Sequence, residues 1–214
     1  MGVSPPRVLM ALTPPISRQC KRLLEEVRRR CPGLLPPDPV GPGTVVGTVH
    51  LNPDEAARLF PSAAAVAAGL DPLATEPRGP VLWREGDREL LVDTAKVVAR
   101  FGSGVIAVSI PVSCDQSRPA FVHVSFVVGQ PQAPAGLVAA TEERPRGPAV
   151  VVDAWGDSLV AFAWHVVLVV VTQVAGEAGR DLDGSRLVPI GIAANPDGLF
   201  VVPMARHAFD RARS

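Results

Sequence analysis

The sequence predicts an α+β fold: a mostly antiparallel sheet packed against a long buried helix in the C-terminal half, with an N-terminal β-α-β-α segment. Three observations carry this expectation. The stretch SLVAFAWHVVLVVVTQVAG, Ser158 to Gly176, runs nineteen residues without a formal charge. Two neighbouring stretches, VIAVSIPVSC and AFVHVSFVV, alternate between apolar and small or polar residues, which is the period of a strand with two unlike faces. Between Phe101 and Thr141 the only charges are Asp115 and Arg118, so the sheet lacks the charge-rich face that water usually meets.

Taken in order, RVLMAL (Arg7–Leu12) reads as a short strand. Thr13 and Pro14 then open a helix whose apolar residues Ile16, Cys20, Leu23, Leu24, Val27 and Cys31 recur every three or four positions. A proline-rich connection leads to a strand at Thr44–Leu51. Asn52 and Pro53 suit the start of a second helix, NPDEAARLF, which SAAAVAAG extends beyond Pro61. The chain is expected to form a single α+β domain over 1–214, with a possible sub-boundary in the loop 70–80. VLW and ELLV around REGDR read as a hairpin. The alternating pair is a second hairpin, with Asp115–Pro119 as its loop and Cys114 facing Ala120. That register puts Ile106, Val108, Ile110 and Val112 on one face with Val122, Val124, Phe126 and Val128. A slip by one residue would set this row against the mixed one. GLVAAT and AVVVDAW are read as two more strands, RLVPIGIAA and GLFVVP as strands around the turn NPDG, and MARHAFDRARS as a short helix.

Composition bounds the function classes. The 214 residues carry 21 basic and 21 acidic side chains, which argues against an electrostatic grip on nucleic acid or anionic lipid. Neutrality also leaves little repulsion between copies of the chain. Lys21 and Lys96 are the only lysines, and the wealth of Ala, Arg, Gly, Pro and Val suggests a GC-rich genome. Three cysteines without CxxC spacing read as reduced thiols in a cytoplasmic protein. The start, MGVSPPRVLMALTPP, holds an apolar run too short for a secretory signal, and Pro6 stands where myristoylation prefers Ser or Thr.

The uncharged run is about 28 Å long as a helix, just enough for a hydrocarbon core of about 30 Å. A membrane span at 158–176 is therefore an alternative, and a valine-rich hairpin turning at Gly156–Asp157 is another. A buried helix accounts for more. His165 sits near the middle of the run, where a bilayer makes a polar ring costly. Asp157 and Glu177 flank it, with no adjacent basic cluster. Ser158, His165 and Thr172 fall on one narrow stripe, a thin polar seam with Asp157 or Ser158 capping the start. No membrane is expected.

Candidate chemistry lies on the mixed face of the central hairpin. There Ser109 is opposite Ser125, and His123 is diagonal to Ser109 and Ser113, the beginnings of a nucleophile and base. Asp153, on a nearby strand, is the candidate orienting carboxylate. There is no GxSxG elbow, so the competing reading is a sheet face with ordinary hydrogen bonds. DAWGD (Asp153–Asp157) joins a strand end to a helix start, where two carboxylates suit a divalent cation rather than phosphate. Asp157 as a plain helix cap is the simpler account. His50, His123, His165 and His207 show no zinc-ligand spacing, and His165 is expected in the core with a hydrogen bond. No metal and no cofactor is expected. The first helix has six basic against two acidic residues but no aromatic for base stacking, so nucleic acid is not an expected partner.

The leading expectation is a soluble, non-catalytic interaction or assembly protein that self-associates or docks on a protein partner. The second is a small hydrolase-like enzyme using His123 with Ser109 or Ser113, or the Asp153 and Asp157 carboxylates. The third is a ligand-binding module.

Overall fold

The computed structural model describes residues 47–70, 79–137, 144–179, 184 and 187–204. The expected strand at 7–12, the first helix, the tail from Ala205 on and most of GLVAAT lie outside the described residues. What is described is α+β, with two antiparallel sheets and a long helix packed against both.

Strand β1 is Val49–Leu51; of the expected Thr44–Leu51 strand, Gly47 and Thr48 are not part of it, and residues 44–46 lie outside the described residues. Helix α1 (Pro53–Ala67) follows at once. Asn52 caps it as anticipated: the Glu55 N–H donates to the Asn52 side chain at 2.9 Å, and the Asn52 N–H donates to the Glu55 carboxylate. This reciprocal pair satisfies two amides that a helix start leaves without partners. Pro61 stays inside the helix rather than ending it, and the buried residues around it are Phe60 and alanines.

The larger sheet contains β2 (Val81–Glu85), β3 (Arg88–Val92), β4 (Val98–Gly102), β5 (Val105–Cys114) and β6 (Ser117–Val127). A short 3-10 turn, Thr94–Lys96, joins β3 to β4. β2 and β3 form the expected hairpin around Gly86–Asp87, where Gly86 adopts φ +60°, a conformation open to glycine at little cost. β6 lines one edge of β5. Along the other edge β4 pairs with Val105–Ser109, and β3 takes over at Val112 and Ser113. Pro111 sits at the handover. Its carbonyl accepts from the Asp93 N–H at 3.0 Å on the β3–β4 side, so its missing N–H falls where neither neighbour's ladder needs a donor.

The β5–β6 hairpin corrects the expected register. Its turn is the two residues Asp115–Gln116, not Asp115–Pro119, and a bulge between Val112 and Cys114 shifts the pairing. Neither turn residue has positive φ, so the mirror-image turns that fit a tight hairpin are not used and the bulge absorbs the mismatch. Ser109 consequently faces His123, and Val112 faces Ala120. The slip is two residues, so the faces are unchanged: Ile106, Val108, Ile110, Val112, Val122, Val124 and Phe126 all point to the core.

The smaller sheet orders β1, β8 (Gly198–Met204) and β7 (Val188–Asn195), with Pro196–Asp197 as the expected turn. Asn195 steadies that turn by accepting the Asp197 N–H at 2.9 Å. Gly198 has φ +146°, and a Cβ there would run into the Leu51 carbonyl oxygen, so glycine lets β1 close on the turn. The sheets meet where the Gly104 N–H donates to Ala194 at 2.9 Å and the Ala194 N–H donates to Gly129 at 2.9 Å.

Helix α2 (Ala149–Glu177) is the second correction. AVVVDAW is its first two turns, not a strand. Valine suits strands only weakly on its own, and here the whole segment gains more by packing on the sheets. The cap is Pro148, so Asp157 is an interior helix residue and DAWGD does not sit at a helix start. By length and composition α2 could cross a bilayer, yet 61% of its most apolar window is buried inside the protein. It packs against β6, β7, β8 and α1. Trp83 meets the Phe162 ring edge-on at 5.4 Å and Trp155 at 6.4 Å, while Phe126 meets Trp164 at 5.1 Å. The seam through His165 and Thr172 exists but faces outward together with Asp153 and Asp157. His165 is thus exposed, not a core histidine, because the stripe lies on the side turned from the sheets.

Trp83 is 1% exposed and contacts α2 through two aromatic rings, so Trp83→Ala is expected to cost about 3–5 kcal/mol. Urea unfolding monitored by circular dichroism measures it; a loss under about 1 kcal/mol would mean that α2 does not dock on β2 as described.

Candidate functional site

The outer face of the larger sheet, turned from α2, carries the candidate site. Alternation along β5 and β6 sends Ala107, Ser109, His123 and Ser125 outward, and the register sets Ser109 directly across from His123. The Ser109 Oγ and His123 Nδ1 are 2.8 Å apart, a hydrogen bond. For serine to act as a nucleophile the ring would accept its proton; with the other tautomer the ring donates and is simply held in place. Phe121 stacks near the same ring, with centroids 6.2 Å apart and planes inclined by 15°.

Beyond β6 the chain returns alongside it. The His123 N–H donates to the Arg146 carbonyl at 2.8 Å, and the Arg146 N–H donates back at 2.9 Å. Gly147 makes this approach possible, since a Cβ there would press on Val122 at 2.8 Å. On the opposite side β4 contributes Val98 and Arg100. Together these segments shape an open trough of about 690 Å³ whose described lining residues include two arginines and a histidine and no carboxylate.

Of the residues singled out from the sequence, the structure brings together Ser109 and His123. Ser113 faces Leu91 on β3 and lies outside the trough. Asp153 sits on α2, not on a strand, and its carboxylate accepts from Arg144. Among the described residues no carboxylate hydrogen-bonds the His123 ring, and no group of three His, Cys, Asp or Glu side chains is placed to hold a metal ion. Ser109 is only 8% exposed, so its hydroxyl forms part of the trough floor.

Arg100 and Arg146 were not legible as site residues. Arg100 belongs to β4, a strand that the pattern reading passed over. The signal was the FGSG turn before an alternating run, which calls for a strand on its other side. Arg146 arrives through a main-chain bridge that no local pattern announces. No family model matches the chain, and no match was found among curated proteins or solved structures.

A double-mutant cycle between Ser109→Ala and His123→Ala is expected to give a coupling of about 0.5–1.5 kcal/mol in urea unfolding. Strictly additive losses would show that the Ser109–His123 bond is absent in solution.

Proposed function

We propose that this protein is a non-catalytic interaction module that docks a protein partner on the outer face of its larger sheet. One observation carries the reading. Phe121 is 49% exposed and Val98 38% exposed beside a trough that no described element covers. Antiparallel sheets with a wet face usually dress it in charge. This face is largely apolar or neutral, and it is rigid because its reverse side is the core. Large exposed aromatic groups on such a floor are typical anchors of protein interfaces.

A second reading, hydrolysis, is favoured by one contact, the 2.8 Å Ser109–His123 bond. Against it stand the shielding of Ser109 and the engagement of Asp153 by Arg144, which leaves the pair without an orienting carboxylate among the described residues.

A photo-crosslinking amino acid placed at Phe121 is expected to trap discrete protein adducts in the producing cells, whereas one at exposed Thr172 on α2 is not. Equal, diffuse labelling at both positions would overturn the docking reading. A fluorophosphonate probe decides the hydrolase reading: labelling of the natural chain that vanishes in Ser109→Ala would establish it, and docking alone predicts no labelling.

A further inference from the structure

We propose that the trough recognises an acidic side chain carried between apolar residues on an extended segment of the docking partner, with Arg100 as its ion-pair partner. This inference rests on the docking reading and names the chemistry of what docks.

The register lays out the site. Val98, Ser109, His123 and Arg146 form one row across four adjacent segments, and Arg100, Ala107 and Ser125 form the next. Neighbouring segments lie about 4.8 Å apart, so the backbones of Arg100 and Arg146 flank the floor from opposite sides at roughly 15 Å. Both are long side chains able to lean over the floor between them. Arg84, Arg88, Arg144 and Lys96 each pair with a carboxylate on the protein's own surface. Arg100 pairs with none among the described residues, and no acid is among the described residues that line the trough around it.

Apolar groups bracket this charge. Along β6 the outward residues are Phe121, His123, Ser125 and Val127, and Val105 lies across from Val127. The order is apolar, polar, polar, apolar over roughly 20 Å. An extended segment laid along β6 presents every second side chain to the floor at the same spacing. An acid in its middle meets Arg100, and apolar side chains two to four positions to either side reach Phe121 at one end and Val105 with Val127 at the other. The Ser109 bond fixes the His123 ring through Nδ1, so the middle of the floor is ordered before anything binds.

Charge also selects among occupants. A second copy docking face to face about a two-fold axis would place both copies' Arg100 in one interface, with no carboxylate among the described residues of either trough to answer them. No described element covers the trough, so a small molecule would remain largely wet, whereas small-ligand sites bury most of the ligand.

The test is selection of random twelve-residue peptides displayed on phage against the full chain, followed by fluorescence anisotropy on the enriched peptides. Enrichment of Asp or Glu with apolar residues two to four positions away is expected. Binding should fall at least tenfold in Arg100→Glu, weaken in Phe121→Ala, and weaken with added salt; Arg100→Glu should itself select peptides bearing Lys or Arg. Both residues are exposed, and an unchanged circular dichroism melt would establish that the variants fold. Enriched peptides that lack an acid, bind Arg100→Glu as well as the natural chain and are lost in Phe121→Ala would overturn this inference and leave docking standing. Enrichment insensitive to both substitutions, or none at all, would overturn both.

Discussion

Helix α2 must hide fifteen of its residues, and the protein is arranged around that demand. A helix apolar on most of its circumference cannot be served by one flat partner. Here the larger sheet takes one side through Trp83 and Phe126, the smaller sheet another, and α1 a third. Each large apolar side chain buried on this interface contributes about 1.5–3 kcal/mol. Only the stripe through Asp153, Asp157, His165 and Thr172 is released to the outside.

The same demand shapes the candidate site from behind. Because the core claims the large apolar residues on the inner face of β5 and β6, the outer face inherits the small and polar half of the alternation. It is therefore shallow, with alanine and serine between the strands and larger groups at its margins. Its floor moves little, since each outward residue is flanked by two that are locked in the core. Phe121 is the exception to the pattern, a large ring exposed where the inner face gained nothing from it.

Most of the fold was legible because burial imposes periodicity. Alternation identified β5 and β6, the NPDG turn marked β7 and β8, and the Asn52–Pro53 start of α1 carried its own capping chemistry. The failures fall where the same residues satisfy two patterns. Val150, Val151 and Val152 read as a strand, and Asp157 resembled a cap, so the start of α2 was placed nearly three turns late; the true boundary was marked only by Gly147 and Pro148. His165 looked like a buried polar group because the run around it is apolar, but a helix interior and its outward stripe have the same composition locally. Arg100 and Arg146 were hidden for a different reason: their placement on opposite sides of β5 and β6 depends on tertiary pairing.

The central hairpin shows why faces are easier to read than sites. A slip by one residue exposes an entire core row and is strongly excluded. A slip by two keeps every valine and isoleucine on its proper face, so the hydrophobic pattern barely distinguishes the two arrangements. Yet the directly opposed polar partners change: in the wider-loop register Ser109 would face Ser125 and His123 would face Pro111, leaving serine and histidine only diagonal to one another. The choice is made by the Asp115–Gln116 turn and the bulge beside it, far from the trough. Core burial thus decides which residues look outward, while turn geometry decides which of them meet, and the chemistry of the outer face depends on the second decision.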